Sequence, residues 1–221
     1  MVDLFDFFEQ LSLNNDRPWF QQHKSEYDQL RQEWIAHIDR IIALLAPEWP
    51  ELTRHTGASV TYRVYRDVRF SADKTPYKTH ISSSISPYGR NLRYAGIYLQ
   101  AGLPDCYNGI FAGLWAPSPA VLRKVRAAIL DNIEEWEAIV RDPALTRVFP
   151  GWDGARLKTV PKGYDRDHPY AEYLRLKDIA KYRPMSHADF RDPAWHEQVA
   201  ADTLLIKPMI DFLNYSIDED V

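Results

Sequence analysis

Apolar residues at the start of the chain recur at steps of three or four. Over residues 4–11 this pattern predicts a short amphipathic helix, and a second apolar stripe predicts a longer helix that ends near Ala46. Pro47 and Pro50 follow the stripe, and proline is poorly tolerated inside a helix. We therefore expect N-terminal helices within residues 1–50.

Between residues 58 and 115 the apolar period falls to two, which is the period of a strand. The alternation predicts four strands, at residues 60–70, 79–86, 92–101 and 107–114. Their connections are too short for helical crossovers, which favours an antiparallel meander. The third strand is apolar on both faces, so we place it inside the sheet and not at an edge.

A helical period returns after Ala116 and predicts C-terminal helices within residues 118–217. Ser118 and Pro119 are typical of a helix start, and the stripe that follows runs to about residue 140. Residues 151–190 read as irregular, with a short helix at 170–176. The last helix should cover residues 193–215, and Pro208 should kink or divide it.

These elements predict an α+β fold, in which an antiparallel β-meander of about four or more strands packs with N-terminal and C-terminal helices. We expect residues 1–221 to form a single globular domain, because no linker-like tract interrupts the pattern. Hydrophobic residues make up 45% of the chain and aromatic residues 13%, which is ample material for a packed core.

Charge and cysteine content narrow the class of protein. A formal net charge of -4 provides no global positive field, so nucleic acid is an unfavoured partner. Acidic residues interrupt the apolar start, no run is long enough for a membrane helix, and the single cysteine cannot form an internal disulfide. We expect a soluble, cytoplasmic protein with no membrane association, and a buried, inert Cys106 thiol. Cofactors and oligomeric state stay undetermined.

Positive charge is concentrated in residues 63–78, which we call the basic hairpin. It contains five cations and two acidic residues, namely Arg63, Arg66, Arg69, Lys74 and Lys78 with Asp67 and Asp73. Arg66 falls between Val64 and Val68 on the apolar parity, where an unpaired guanidinium would be costly to bury. We expect Arg66 to be at least half buried and to reach a carboxylate, a bound anion or a backbone carbonyl.

Two interpretations of the basic hairpin are open. In the first, its charges form a salt-bridged surface, as runs of charge commonly do. In the second, the arginine forks bind an anion, and backbone donors in residues 71–76 complete the site.

Three segments carry a resemblance to a known family. They are Asn14-Asn15-Asp16-Arg17-Pro18-Trp19-Phe20 with Lys24 and Tyr27, the run from Arg66 to Lys78, and Gly113-Leu114-Trp115-Ala116-Pro117. Over residues 4–213 the chain resembles the uncharacterised microbial family of domain of unknown function 2461, whose members often have a glycine pair or triplet before the tryptophan. Here Gly109 and Gly113 are separated instead. The resemblance brings no established activity, but it implies that the Arg17, Trp19, Lys24 and Tyr27 segment approaches the basic hairpin.

The preferred hypothesis is a cleft between the basic hairpin and the second helix that binds an anionic, phosphate-bearing ligand, with turnover of that ligand as an open option. The ligand-binding candidates are Arg17, Lys24, Arg66, Arg69, Lys74 and Lys78, and the weaker catalytic candidates are Asp67, Asp73 and Tyr77. The alternative is a non-enzymatic interaction module that docks an acidic protein or a nucleic-acid backbone. No metal is expected, since His168 and His187 lack the spacing of a familiar zinc site.

Overall fold

A computed structural model describes residues 3–219 of the protein. Its helices are α1 Leu4–Leu13, α2 Arg17–Gln22, α3 Lys24–Leu45, α4 Gly57–Val60, α5 Pro119–Asp131, α6 Ile133–Val140, α7 Pro143–Val148, α8 Ala171–Leu174, α9 His187–Arg191 and α10 Trp195–Asp218. A 3₁₀ turn covers Pro50–Arg54. Within residues 3–219, no helix combines the length and the apolar character needed to cross a bilayer.

Four strands form one antiparallel sheet in the order β1-β2-β3-β4. They are β1 His80–Ile85, β2 Gly96–Gly102, β3 Gly109–Leu114 and β4 Ile179–Pro184. The α+β prediction is therefore confirmed. The third predicted strand corresponds to β2, which has a neighbour on each side, as its apolar character on both faces indicated.

The strand predicted at residues 60–70 is wrong. A capping box between Thr56 and Ser59 starts the helical turn α4, which ends at Val60. Beyond it the chain pairs only at isolated antiparallel bridges, Thr61 with Ser83 and Tyr65 with Tyr77. Pro76 cannot donate to a ladder, which limits continuous pairing across the basic hairpin.

The strand β4 was missed, because it lies in the stretch that the sequence indicated to be irregular. Its first three residues, Ile179, Ala180 and Lys181, are all buried although Lys181 is polar, so the burial does not follow the sequence pattern. Two helices predicted as continuous are also divided, at His23 and at Asn132. Conversely, α10 continues through Pro208 without division.

The chain divides into two compact units, and the single-domain prediction stays a prediction. The first unit comprises residues 3–89, 98–110 and 184–200, and the second comprises residues 90–97, 111–183 and 201–219. In the first unit, the buried Trp34 of α3 stacks on Trp195 at 5.6 Å and donates to the Ser83 hydroxyl at 2.8 Å. In the second unit, the fully buried Trp136 of α6 packs against Trp152 and other aromatic rings.

Candidate functional site

The basic hairpin folds back on itself through its backbone. The Arg66 amide donates to the Pro76 carbonyl at 2.9 Å, and the Lys78 amide donates to the Val64 carbonyl at 2.8 Å. Alternate residues of the segment differ in burial, so that Val64 is buried whereas Tyr65 is exposed. The parity inferred from the sequence therefore holds from Val64 to Arg69 and fails at Phe70, which was expected on the apolar face and is 96% exposed.

Arg66 has an acceptor, as its position indicated. Its side chain is 28% exposed, and its Nη1 donates to the Asp73 carboxylate and to the Thr75 hydroxyl. Asp73 also accepts from the Thr75 amide, and that bond together with Arg66 lowers the pKa of the Asp73 carboxyl to about 2. The partner of Arg66 thus comes from within the basic hairpin.

Most of the other predicted cations are also paired locally. Arg69 donates to the Asp67 carboxylate through Nε at 3.0 Å and Nη2 at 2.6 Å, and this pair lowers the pKa of the exposed Asp67 to about 2. The Lys74 ammonium donates to the Val68 carbonyl at 2.9 Å. Lys24 of α3 pairs with Asp28, one turn further along its own helix. Arg69 and Lys24 are therefore in surface ion pairs, whereas Lys74 bonds only a neutral carbonyl.

The start of α2 does approach the basic hairpin, as the resemblance implied. The Asn15 side chain donates to the Tyr77 carbonyl at 3.0 Å and accepts from the Tyr77 amide at 3.1 Å, while Phe20 stacks on the Tyr77 ring at 4.0 Å. Arg17 is close enough to lower the pKa of the Tyr77 phenol, although burial raises it on balance. An amide and an aromatic ring, and not an anion shared between cations, join the two segments.

Lys78, the last residue of the basic hairpin, lies in a partly buried polar region of the first unit. Its Nζ lies 5.5 Å from the centre of the Tyr62 ring, and burial lowers its pKa. Burial and then Lys78 lower the pKa of His80 to about 4. Cys106, predicted to be buried, is only partly so, and desolvation raises the pKa of its thiol. A raised thiol pKa accords with low reactivity.

A different basic region lies in the second unit. It is a cleft of about 890 Å³, which we call the Arg126 cleft, and its charged lining residues are Arg123, Arg126, Lys162, Lys177 and Asp178. One wall is a face of α5, where Pro119, Leu122, Arg123 and Arg126 have the i, i+3, i+4, i+7 spacing of a helical stripe. The other walls come from Trp115-Ala116-Pro117 after β3, from the 161–164 turn, and from Ala155 with the residues that precede β4.

Asp178 fixes two of these walls. Its carboxylate is buried, and its two oxygens accept from the Ala116 amide and from the Ala155 amide, each at 2.7 Å. Ala116 has a φ of 46°, a left-handed conformation that an alanine rarely adopts. Both carboxylate oxygens are therefore engaged by backbone donors, so Asp178 acts as a clamp for the loops.

Arg126 is the unusual residue of the cleft. It is 7% exposed, its Nη2 donates to the Leu176 carbonyl at 2.7 Å, and its Nε has no hydrogen-bond partner among residues 3–219. No carboxylate pairs with it in that part of the chain, and burial lowers its pKa. Arg123, Lys162 and Lys177 likewise have no carboxylate partner among residues 3–219. Among the described residues, the four cations of the cleft therefore have no ion-pair partner.

Sequence reasoning missed this region because its cations come from separate segments. One signal was available, since Arg126 stands four residues after Leu122 and three before Ile129, at the border of the apolar stripe of α5. The argument applied to Arg66 would have selected Arg126 as well. In the described residues 3–219, no group of three or more metal-ligating side chains is assembled.

The architecture and the cleft define an α+β protein with an antiparallel four-stranded sheet and a basic cleft beside its α5 helix. Residues 3–212 match the model of a family described as conserved hypothetical protein (DUF2461), and the chain belongs to that family. The chain matches no curated protein and no solved structure.

Proposed function

We propose that the protein binds a small phosphate-bearing anion in the Arg126 cleft. The observation that carries the proposal is the buried Arg126 guanidinium, which has a free Nε donor and no carboxylate partner among the described residues. Burying a charge without a counter-charge is costly, so such a site is stabilised by an anion from outside the chain. The planar fork of arginine is suited to two-point contact with a phosphate.

The surroundings of Arg126 support the same function. Arg123, Lys162 and Lys177 line the cleft, and they would add attraction without forming the buried contact themselves. A volume of about 890 Å³ is within the usual range for small-molecule sites. The clamp of Asp178 on two walls holds the cleft in shape before a ligand arrives, which reduces the entropy cost of binding.

Ligand binding at the basic hairpin stays a prediction with weaker support, because Arg66 and Arg69 already have carboxylate partners. The hairpin better supports the alternative of an interaction surface. Phe70 is 96% exposed and stands next to Arg69, a combination suited to an acidic protein segment that also offers apolar contact.

A glutamate-rich peptide tests this interaction surface. The affinity of the protein for the peptide should fall with added salt and with Phe70→Ala, but not with Leu13→Ala in α1, another exposed apolar side chain. Equal binding by the Phe70→Ala protein excludes the surface.

The Arg126 cleft is tested with inorganic pyrophosphate in isothermal titration calorimetry. The wild-type protein should bind, and Arg126→Met should weaken binding by about 10-fold or more, since a hydrogen bond to a charged group contributes roughly 1.5–3 kcal/mol. Arg175→Met is the matched control, because Arg175 is an exposed arginine of the second unit that does not line the cleft. Absence of binding to the wild type, or equal binding by the Arg126→Met protein, contradicts the proposal.

A further inference from the structure

We infer that the ligand of the Arg126 cleft is a nucleotide, a phosphate joined to a planar aromatic base that stacks on Trp115. This inference rests on the proposed function and adds the chemical class of the ligand. Trp115 lines the cleft and is 54% exposed, which is unusual for the largest apolar side chain. An exposed indole inside a basic cleft provides the flat surface on which a base stacks.

The backbone that carries Trp115 is held in place on both sides. Leu114, the last residue of β3, is fully buried, and Ala116 is clamped by Asp178. Gly113 has a φ of 129°, and a Cβ at this position would lie 2.1 Å from the Ile179 carbonyl oxygen. The strand end is therefore packed against β4 too closely for any other residue. The backbone of Trp115 is therefore fixed between two packed residues, which keeps the exposed indole at the cleft.

The size and lining of the cleft separate a nucleotide from a bare phosphate. Beside the cations, the walls include Pro117, Leu122 and Pro161, which a phosphate or pyrophosphate would leave uncovered. A cleft of about 890 Å³ is also far larger than an inorganic anion requires. A nucleotide supplies phosphate oxygens for the cations and a flat apolar ring for Trp115 and the neighbouring prolines. Stacking does not distinguish strongly between bases, so no particular base is implied.

The experiment compares ADP, adenosine, ribose 5-phosphate and pyrophosphate by calorimetry. On the wild-type protein ADP should bind about 10-fold tighter than pyrophosphate, because one base stacked on an aromatic side chain contributes roughly 1–3 kcal/mol, a factor of about 5–150. Ribose 5-phosphate, which has no base, should bind no tighter than pyrophosphate. Trp115→Ala should remove the advantage of ADP over pyrophosphate. Tyr215→Ala, an exposed aromatic residue of α10 outside the cleft lining, is the matched control.

The outcomes for the inference and for the proposed function are distinct. Equal affinity for ADP and pyrophosphate on the wild type, or an undiminished ADP advantage in the Trp115→Ala protein, overturns the nucleotide inference and leaves anion binding intact. Failure of both ligands to bind overturns the two together. If Trp115→Ala does not fold, fluorescence decides: ADP should quench a component of the tryptophan emission that Trp115→Phe removes. Absence of such a component overturns the inference.

Discussion

The basic hairpin and the Arg126 cleft both concentrate positive charge, but they differ in what becomes of that charge. In the basic hairpin, Arg66 and Arg69 pair with Asp73 and Asp67 at the surface. In the cleft, Arg126 is nearly inaccessible and has no carboxylate partner among residues 3–219. Two of the five cations of the basic hairpin are therefore neutralised by carboxylates at the surface, whereas the buried cation of the cleft is not.

The difference shows that charge density in the sequence is a poor guide to an anion site. Neighbouring residues of opposite sign pair easily in water, where each pair is worth little and leaves no demand for a ligand. A buried cation has lost its hydration, so a missing partner costs far more. Four predictions test this contrast, from the largest expected effect to the smallest.

The largest effect should come from the carboxylate that shapes the cleft. Asp178→Ala leaves the amides of Ala116 and Ala155 without their acceptor, and we expect a loss of about 3 kcal/mol in the free energy of unfolding, because hydrogen bonds to charged groups are involved. Urea unfolding measures the loss. Asp67→Ala in the basic hairpin is the control and should leave the midpoint nearly unchanged. Similar losses in the two variants would remove the contrast between a buried clamp and a surface pair.

The second prediction concerns acid stability where the basic hairpin meets β1. His80 has a folded-state pKa of about 4, below the ordinary value of 6.5, because burial and Lys78 disfavour its charged form. Between pH 6.5 and 4 the unfolded state gains a proton that the folded state does not, so stability should fall with pH by roughly 3 kcal/mol in total. Below pH 4 both states are protonated and this contribution is constant.

Urea unfolding from pH 7 to 4 measures that slope, and His80→Gln should flatten it. The carboxylates of the basic hairpin act in a separate window, since Asp67 and Asp73 have pKa values lowered to about 2 from 3.8. Their contribution is present above pH 3.8 and is lost only as the pH falls towards 2. If the dependence of the unfolding free energy on pH is unchanged in the His80→Gln protein, groups other than His80 cause the acid sensitivity.

The third prediction addresses how the basic hairpin is held to the start of α2. Asn15→Ala removes both hydrogen bonds to the Tyr77 backbone, and we expect a loss of about 2 kcal/mol, at the usual worth of two neutral bonds. Asn14→Ala is the control, because Asn14 bonds only within its own region, to the Gln10 carbonyl. Thermal unfolding compares the two. Equal effects would mean that the amide clamp contributes nothing beyond ordinary helix capping.

The smallest effect should come from Arg66. If its role is the surface pair with Asp73 and Thr75, Arg66→Ala lowers the thermal midpoint slightly and leaves the affinity for pyrophosphate unchanged. Calorimetry on the Arg66→Ala and Arg126→Met proteins compares how much each arginine contributes to pyrophosphate binding. Loss of pyrophosphate binding in the Arg66→Ala protein would show that the anion site lies at the basic hairpin and not in the cleft.

Parts of the fold follow from local pattern, and parts do not. The N-terminal helices were predictable because each buries a regular stripe, and β2 because its sequence is apolar on both faces. Residues 60–70 alternate too, yet Val60 ends α4 and the rest pairs only at isolated bridges, because a capping box and Pro76 compete with ladder formation. The strand β4 was hidden for the opposite reason, since its buried Lys181 reads as a polar residue. Its ammonium reaches the Gly151 carbonyl at 3.2 Å and lies 4.7 Å from the Trp152 ring.

The sequence by itself determined the α+β class, the interior position of β2 and the need of Arg66 for a partner, because periodicity and parity are properties of neighbouring residues. Tertiary structure alone decided which cations are left unpaired. Arg126, Lys162 and Lys177 are far apart in the chain, and only the packing of α5 beside the 161–164 turn and the residues before β4 brings them to one cleft. The physical reason is desolvation: the cost of an unpaired charge depends on the surroundings that the fold creates, and not on the residue type.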